Sequence, residues 1–125
     1  MIVKLAQKIY MKIYHNPRCS KSREALKYLQ SQNLAFEIID YMHEKISKEE
    51  LINIIDLLGI SPRELLRKNE EIYKENNLSS PDLSDDQIIE FMLKYHKLIE
   101  RPIIITDNKA CIARPLDKLK EMLND

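Results

Sequence analysis

The amino-acid sequence predicts an α/β protein, and three features of its patterning predict it. Near the start, two short strand-like runs flank a helix-compatible segment. Near the end, a β-hairpin is followed by a helix. Between them lies a stretch of amphipathic helices with capping-box starts.

The elements follow in order. Lys12-Ile13-Tyr14-His15 reads as a short buried strand, and Ser20–Gln32 as a helix with Ala25, Leu26 and Leu29 on one face. The loop between them is His15-Asn16-Pro17-Arg18-Cys19. Phe36-Glu37-Ile38-Ile39 reads as a second strand, parallel to the first if the helix is a crossover, so Cys19 sits where strand becomes helix. Ser47 to Glu50 and Ser84 to Gln87 are capping-box signatures, each ahead of an apolar helical stripe. They bracket Ser61–Asn69, expected as another short helix started at Pro62. Pro102–Thr106, the turn Asp107-Asn108-Lys109 and Ala110–Ala113 form the hairpin, and Pro115 opens a last helix with Leu116, Leu119 and Met122 facing inward. The order β-α-β, helices, β-β-α is that of a thioredoxin-like fold with a helical insertion. Residues 1–11 stand ahead of it as an extension or alternative start, and 12–125 form a single domain.

Composition bounds the function. A chain of 125 residues fits one domain, and 44% hydrophobic with 32% charged residues is ordinary for a folded globular protein. Twenty basic residues balance twenty acidic ones, which removes any global electrostatic case for nucleic acid or an anionic membrane. No apolar run approaches the roughly 18 residues that span a bilayer, so a cytoplasmic location is expected. Two cysteines are too few for a disulfide scaffold. His43 and His96 lack the spacing of a metal site, and no metal is expected.

Cys19 is the residue that carries chemistry. A thiol attacks as the thiolate, and a cysteine at a helix start meets backbone N–H groups and the positive end of the dipole. Arg18, Lys21 and Arg23 add positive charge. The bland alternative, a small buried hydrophobe, suits a cysteine flanked by Arg and Lys in a Pro-containing loop poorly. Cys19-Ser20-Lys21-Ser22 is C-x-x-S, so no resolving thiol lies one turn away and the electrons must come from another molecule. Cys111, in an apolar strand, reads as a buried inert thiol, with a resolving role as the alternative.

The run Ile13-Tyr14-His15-Asn16-Pro17-Arg18-Cys19-Ser20-Lys21-Ser22-Arg23 resembles the active-site loop of the ArsC-type, glutaredoxin-dependent arsenate reductase family, in particular its arsenate-reductase-like branch. Leu57–Asn69, Glu100-Arg101-Pro102-Ile103-Ile104 and Ala113-Arg114-Pro115 resemble the family's other signatures in the same order. The resemblance implies Cys19 as the catalytic cysteine, His15 as the histidine beside it, and Arg67, Arg101 and Arg114 as substrate arginines. It also implies reduction of arsenate to arsenite through a Cys19 adduct, with glutathione as co-substrate, glutaredoxin as partner and no tightly bound cofactor. A guanidinium suits such a site because its fork binds two oxyanion oxygens at once. Each arginine also has a plain reading as a solvated surface residue, the favoured one for Arg63. His15 could tune the loop or take the thiol proton, or simply close the strand end. Pro102 is expected to follow a cis bond, as the corresponding proline does in thioredoxin-like folds. Two alternatives stand beside the reductase: an Spx-like redox regulator that binds RNA polymerase, and a monothiol glutaredoxin-like reductase of another substrate. Ser22 weighs against the first, because it cannot close a C-x-x-C disulfide.

Overall fold

Strand β1 (Lys12–His15) is the hub of the architecture. In this computed structural model, which describes residues 11–124, β1 pairs in parallel with β2 (Glu37–Asp40) and antiparallel with β3 (Ile103–Ile105). The latter in turn pairs antiparallel with β4 (Ala110–Ile112), giving the order β2-β1-β3-β4. A central strand is covered on both faces, and Ile13 and Tyr14 are accordingly buried. This is the thioredoxin-like arrangement of a β-α-β and a β-β-α unit on one sheet.

The chain packs as two compact units, one made of the segments up to Asp40 and from Arg101 onward, the other of Tyr41–Glu100. In the first unit, helix α1 (Ser20–Ser31) starts at Cys19 and buries Ser22, Ala25 and Leu29. Its core joins Ile13, Ala25, Leu29, Ile104 and Ala113 to Leu119 and Met122 of the last helix, α5 (Asp117–Leu123). That helix starts two residues later than Pro115 suggests, although Leu116 still packs on the core. Met11, which the sequence leaves with the extension, belongs to this core, and its carbonyl accepts the Glu37 N–H at 2.9 Å. Residues 1–10 of the expected extension lie outside the described residues.

The second unit is the helical insertion. Helix α2 (Lys48–Leu58) begins at Ser47, whose hydroxyl accepts the Glu50 N–H. It ends at Gly59, the only glycine of the chain, in the left-handed conformation (φ 67°) that a non-glycine side chain resists. Helix α3 (Glu71–Glu75) buries no residue. Helix α4 (Asp85–Lys94) has the full Ser84–Gln87 capping box. The helix expected over Ser61–Asn69 is instead a single 3-10 turn, Pro62–Leu65. There the chain leaves the helical path because Leu66 forms a β-bridge with Ile99 and the Glu100 N–H donates to the Leu65 carbonyl. Among the described residues no helix is long and apolar enough to cross a membrane.

Candidate active site

The loop from His15 to Cys19 is shaped by its own backbone. Asn16 is buried. Its N–H donates to the Ser22 hydroxyl at 3.2 Å, its side-chain oxygen accepts the Arg18 N–H at 3.0 Å, and its carbonyl accepts the Cys19 N–H at 3.0 Å. The Arg23 side chain donates to the Pro17 carbonyl at 2.9 Å. These bonds place Cys19 at the N-cap of α1 in an extended conformation, the usual geometry of that position.

Cys19 is partly exposed and makes no formal capping hydrogen bond through its side chain. Burial pushes its thiol up. The N–H groups of Ser22 and Lys21, the hydrogen-bonding Arg101 side chain and the Arg101 charge outweigh that penalty, and the thiol lies below its ordinary value. The sulfur is thus biased toward the nucleophilic thiolate.

Arg101 and Arg114 meet at this end of the sheet. Each precedes a proline across a cis peptide bond, as expected for Pro102 and unforeseen for Pro115. Nη1 of Arg114 donates to the Arg101 carbonyl at 3.1 Å, while the Arg101 side chain, with Nε and Nη1 buried, turns to Cys19. The Ala113 N–H ties to the Pro102 carbonyl and holds the two arginine segments side by side.

His15 is 6% exposed and its register partner across the β1–β2 ladder is Asp40. Burial lowers its pKa most, the Asp40 charge raises it and the Arg23 charge lowers it, for a net value below the ordinary one. The ring is therefore neutral at neutral pH, and Nδ1 has no hydrogen-bond partner among the described residues. A neutral imidazole can accept a proton.

Arg67 belongs to the second unit. Its backbone N–H donates to the Leu98 carbonyl at 2.7 Å, Nε to Glu70 at 3.2 Å and Nη1 to Glu100 at 3.0 Å. Arg63 is not the solvated surface residue expected. Its guanidinium donates to the carbonyls of Leu78, Ser80 and Leu83 and clamps the loop before α4, because a planar five-donor group can gather several carbonyls that no local ladder satisfies.

Cys111 lies on edge strand β4, opposite Ile104, and packs on the core. Burial pushes its thiol up to about 11, only partly offset by Lys118, so it is a poor nucleophile. No group of His, Cys, Asp or Glu among the described residues could hold a metal ion.

Sequence reasoning did not single out Asn16, Ser22 as a loop anchor, or Asp40. Asn-Pro marks a turn, but the partners of Asn16 follow only from how the loop closes.

Comparison with known proteins places these residues in context. A family model described as the ArsC family matches residues 14–122. An Escherichia coli K12 protein described as uncharacterized protein YfgD is 41% identical over 114 residues, covering 90% of this chain and 96% of its own. An arsenate reductase of Neisseria meningitidis serogroup A is 38% identical, covering 90% and 97%. The solved structure of an arsenate reductase from Vibrio cholerae superposes with a TM-score of 0.87 at 42% identity, covering 90% of this chain and 97% of that one.

Proposed function

The chain belongs to the ArsC family, and on that premise we propose that it is a thiol-dependent arsenate reductase in which Cys19 is the nucleophile. The observation that carries the reading is the pairing of a lowered thiol at a helix start with the Arg101 side chain, itself tied to Arg114. An oxyanion and a sulfur nucleophile need just these neighbours: donors for the oxygens and dipoles for the thiolate.

In the proposed reaction, Arg101 and Arg114 hold the arsenate oxygens, and Arg67 is the third oxyanion arginine by family resemblance. The Cys19 thiolate forms a bond to arsenic as an oxygen leaves as water. The glutathione thiolate then attacks the Cys19 sulfur. An S–S bond forms, and the electron pair of the S–As bond departs with arsenic, which leaves as arsenite. Glutaredoxin takes the glutathione from the mixed disulfide and returns the Cys19 thiol. Neutral His15 accepts the thiol proton at the start.

The test is steady-state arsenate reduction with glutathione and glutaredoxin, wild type against Cys19→Ser. The variant is expected to lose at least about a thousandfold in turnover while remaining folded, since the nucleophile is removed at little change in volume. Near-normal turnover by Cys19→Ser would end the role assigned to this thiol.

A further inference from the structure

We propose that Asn16 is the positioning residue of the nucleophile: by tying Ser22, Arg18 and Cys19 at once, it holds the sulfur against the first turn of α1 and beside Arg101. The proposal rests on Cys19 being the reactive thiol, as in the reading above, but not on which oxyanion that thiol serves.

The geometry is that of a three-point clamp. The backbone N–H of Asn16 reaches across six residues to the hydroxyl of Ser22, a fully buried side chain in the first turn of α1. The Asn16 carbonyl takes the Cys19 N–H. The Asn16 side-chain oxygen takes the Arg18 N–H two residues on, an Asx-turn that mimics a backbone turn. The last contact alone depends on the side chain. Alanine would leave the two backbone bonds possible but no longer fix the turn that brings them together.

The loop carries no other device of this kind. Pro17 has no N–H to give, and the Arg23 side chain holds the Pro17 carbonyl from an exposed position. The sulfur is sensitive to the clamp, because the N–H groups that favour its thiolate belong to Lys21 and Ser22. Ser22 therefore serves twice: its hydroxyl anchors Asn16 and its N–H faces Cys19. A loop that drifts by a fraction of an ångström weakens both contacts while leaving the core untouched.

The experiment is the pH profile of alkylation of Cys19 by iodoacetamide, in a Cys111→Ser background that leaves one thiol. It needs neither arsenate nor glutaredoxin, so its failure is separable from failure of the proposed function. Asn16→Ala, folded by circular dichroism and thermal melt, is expected to shift the profile to higher pH. Its alkylation at pH below the titration should slow by about two- to tenfold, the worth of one lost hydrogen bond. Asn16→Ser keeps a shorter acceptor that forms the same turn more weakly and is expected to fall between. A folded Asn16→Ala whose profile superposes on the parent's would overturn the proposal, as would Asn16→Ser behaving no better than alanine. Amide hydrogen exchange in the unaltered protein supplies a check that depends on no variant folding. The Arg18 and Cys19 amides are expected to be protected, and exchange at the rate of an unstructured loop would overturn the clamp.

Discussion

Replacing Arg101 by alanine separates its two contributions cleanly. The contact with Arg114 runs through the Arg101 backbone carbonyl, which alanine retains, whereas the contact with Cys19 runs through the side chain. The variant therefore removes a charge-assisted hydrogen bond to the sulfur without dismantling the junction of the two arginine segments. Such a bond is worth about 1.5–3 kcal/mol, and the buried Nε and Nη1 argue against the fully screened, lower limit. The sign follows from which form is stabilised. Arg101 favours the thiolate, so its loss raises the Cys19 value and lowers the thiolate fraction at neutral pH. Alkylation and turnover should fall together by roughly ten- to a hundredfold at pH 7, and alkylation alone should recover at higher pH as the thiol ionises unaided. Arg101→Lys should restore only part of the rate, since a point charge lacks the fork. The assay is the paired pH dependence of iodoacetamide alkylation and arsenate reduction. A folded Arg101→Ala with unchanged alkylation at neutral pH would refute the electrostatic reasoning.

Three further outcomes follow from named contacts. Cys111→Ser should keep most arsenate turnover, because burial holds that thiol protonated at about 11; lost turnover in a folded variant would point to an intramolecular resolving thiol. His15 is held below its ordinary value, so in the window below about pH 6.5 the unfolded chain binds the proton that the native state refuses. Native stability should thus fall as pH falls below that point, and His15→Gln should flatten that slope in urea unfolding between pH 8 and 5; identical slopes would contradict it. Arg63→Ala removes three hydrogen bonds to carbonyls and should cost about 2–4 kcal/mol in urea unfolding. A change within the ±0.5 kcal/mol typical of surface sites would show the clamp to be idle.

The parts of this protein legible in its sequence are those whose causes are local. β1 matches its predicted span because the apolar run ends at the Asn-Pro turn, and α4 begins at Ser84 because the capping box is written in four consecutive residues. Helix α3 was invisible because Glu71–Glu75 buries nothing and so leaves no apolar stripe. The turn at Pro62 proved short for a reason 33 residues away, the pairing of Leu66 with Ile99. At the site, Cys19 announced itself by loop context, whereas the anchor made by Ser22 depends on chain closure, as do the carboxylates on Arg67 within the second unit. Glu100 reaches Arg67 from across the insertion, and no periodicity records that. In sequence Arg63 reads as a surface cation, and Arg67 is set apart from it only by the family resemblance. Their differing fates, one on carbonyls and one on carboxylates, belong to tertiary structure alone.

In the proposed reaction, electrostatics gives the second arginine, tied to the first, its use. A tetrahedral dianion brought within about 4 Å of a thiolate meets roughly 8 kcal/mol of repulsion at an effective dielectric of 20, twice the figure for a pair of unit charges. One guanidinium at the same range returns about the same amount, so Arg101 alone only brings the approach to break-even. Arg114 spends one N–H on the Arg101 carbonyl and has no carboxylate partner among the described residues, so in the proposed reaction its charge would tip the balance toward binding. In the second unit the charge of Arg67 is opposed by Glu70 and Glu100. The N–H groups of Ser22 and Lys21 complete the arrangement. They lower the thiol as neutral dipoles beside the Arg101 side chain, so the thiolate does not rest on that one cation.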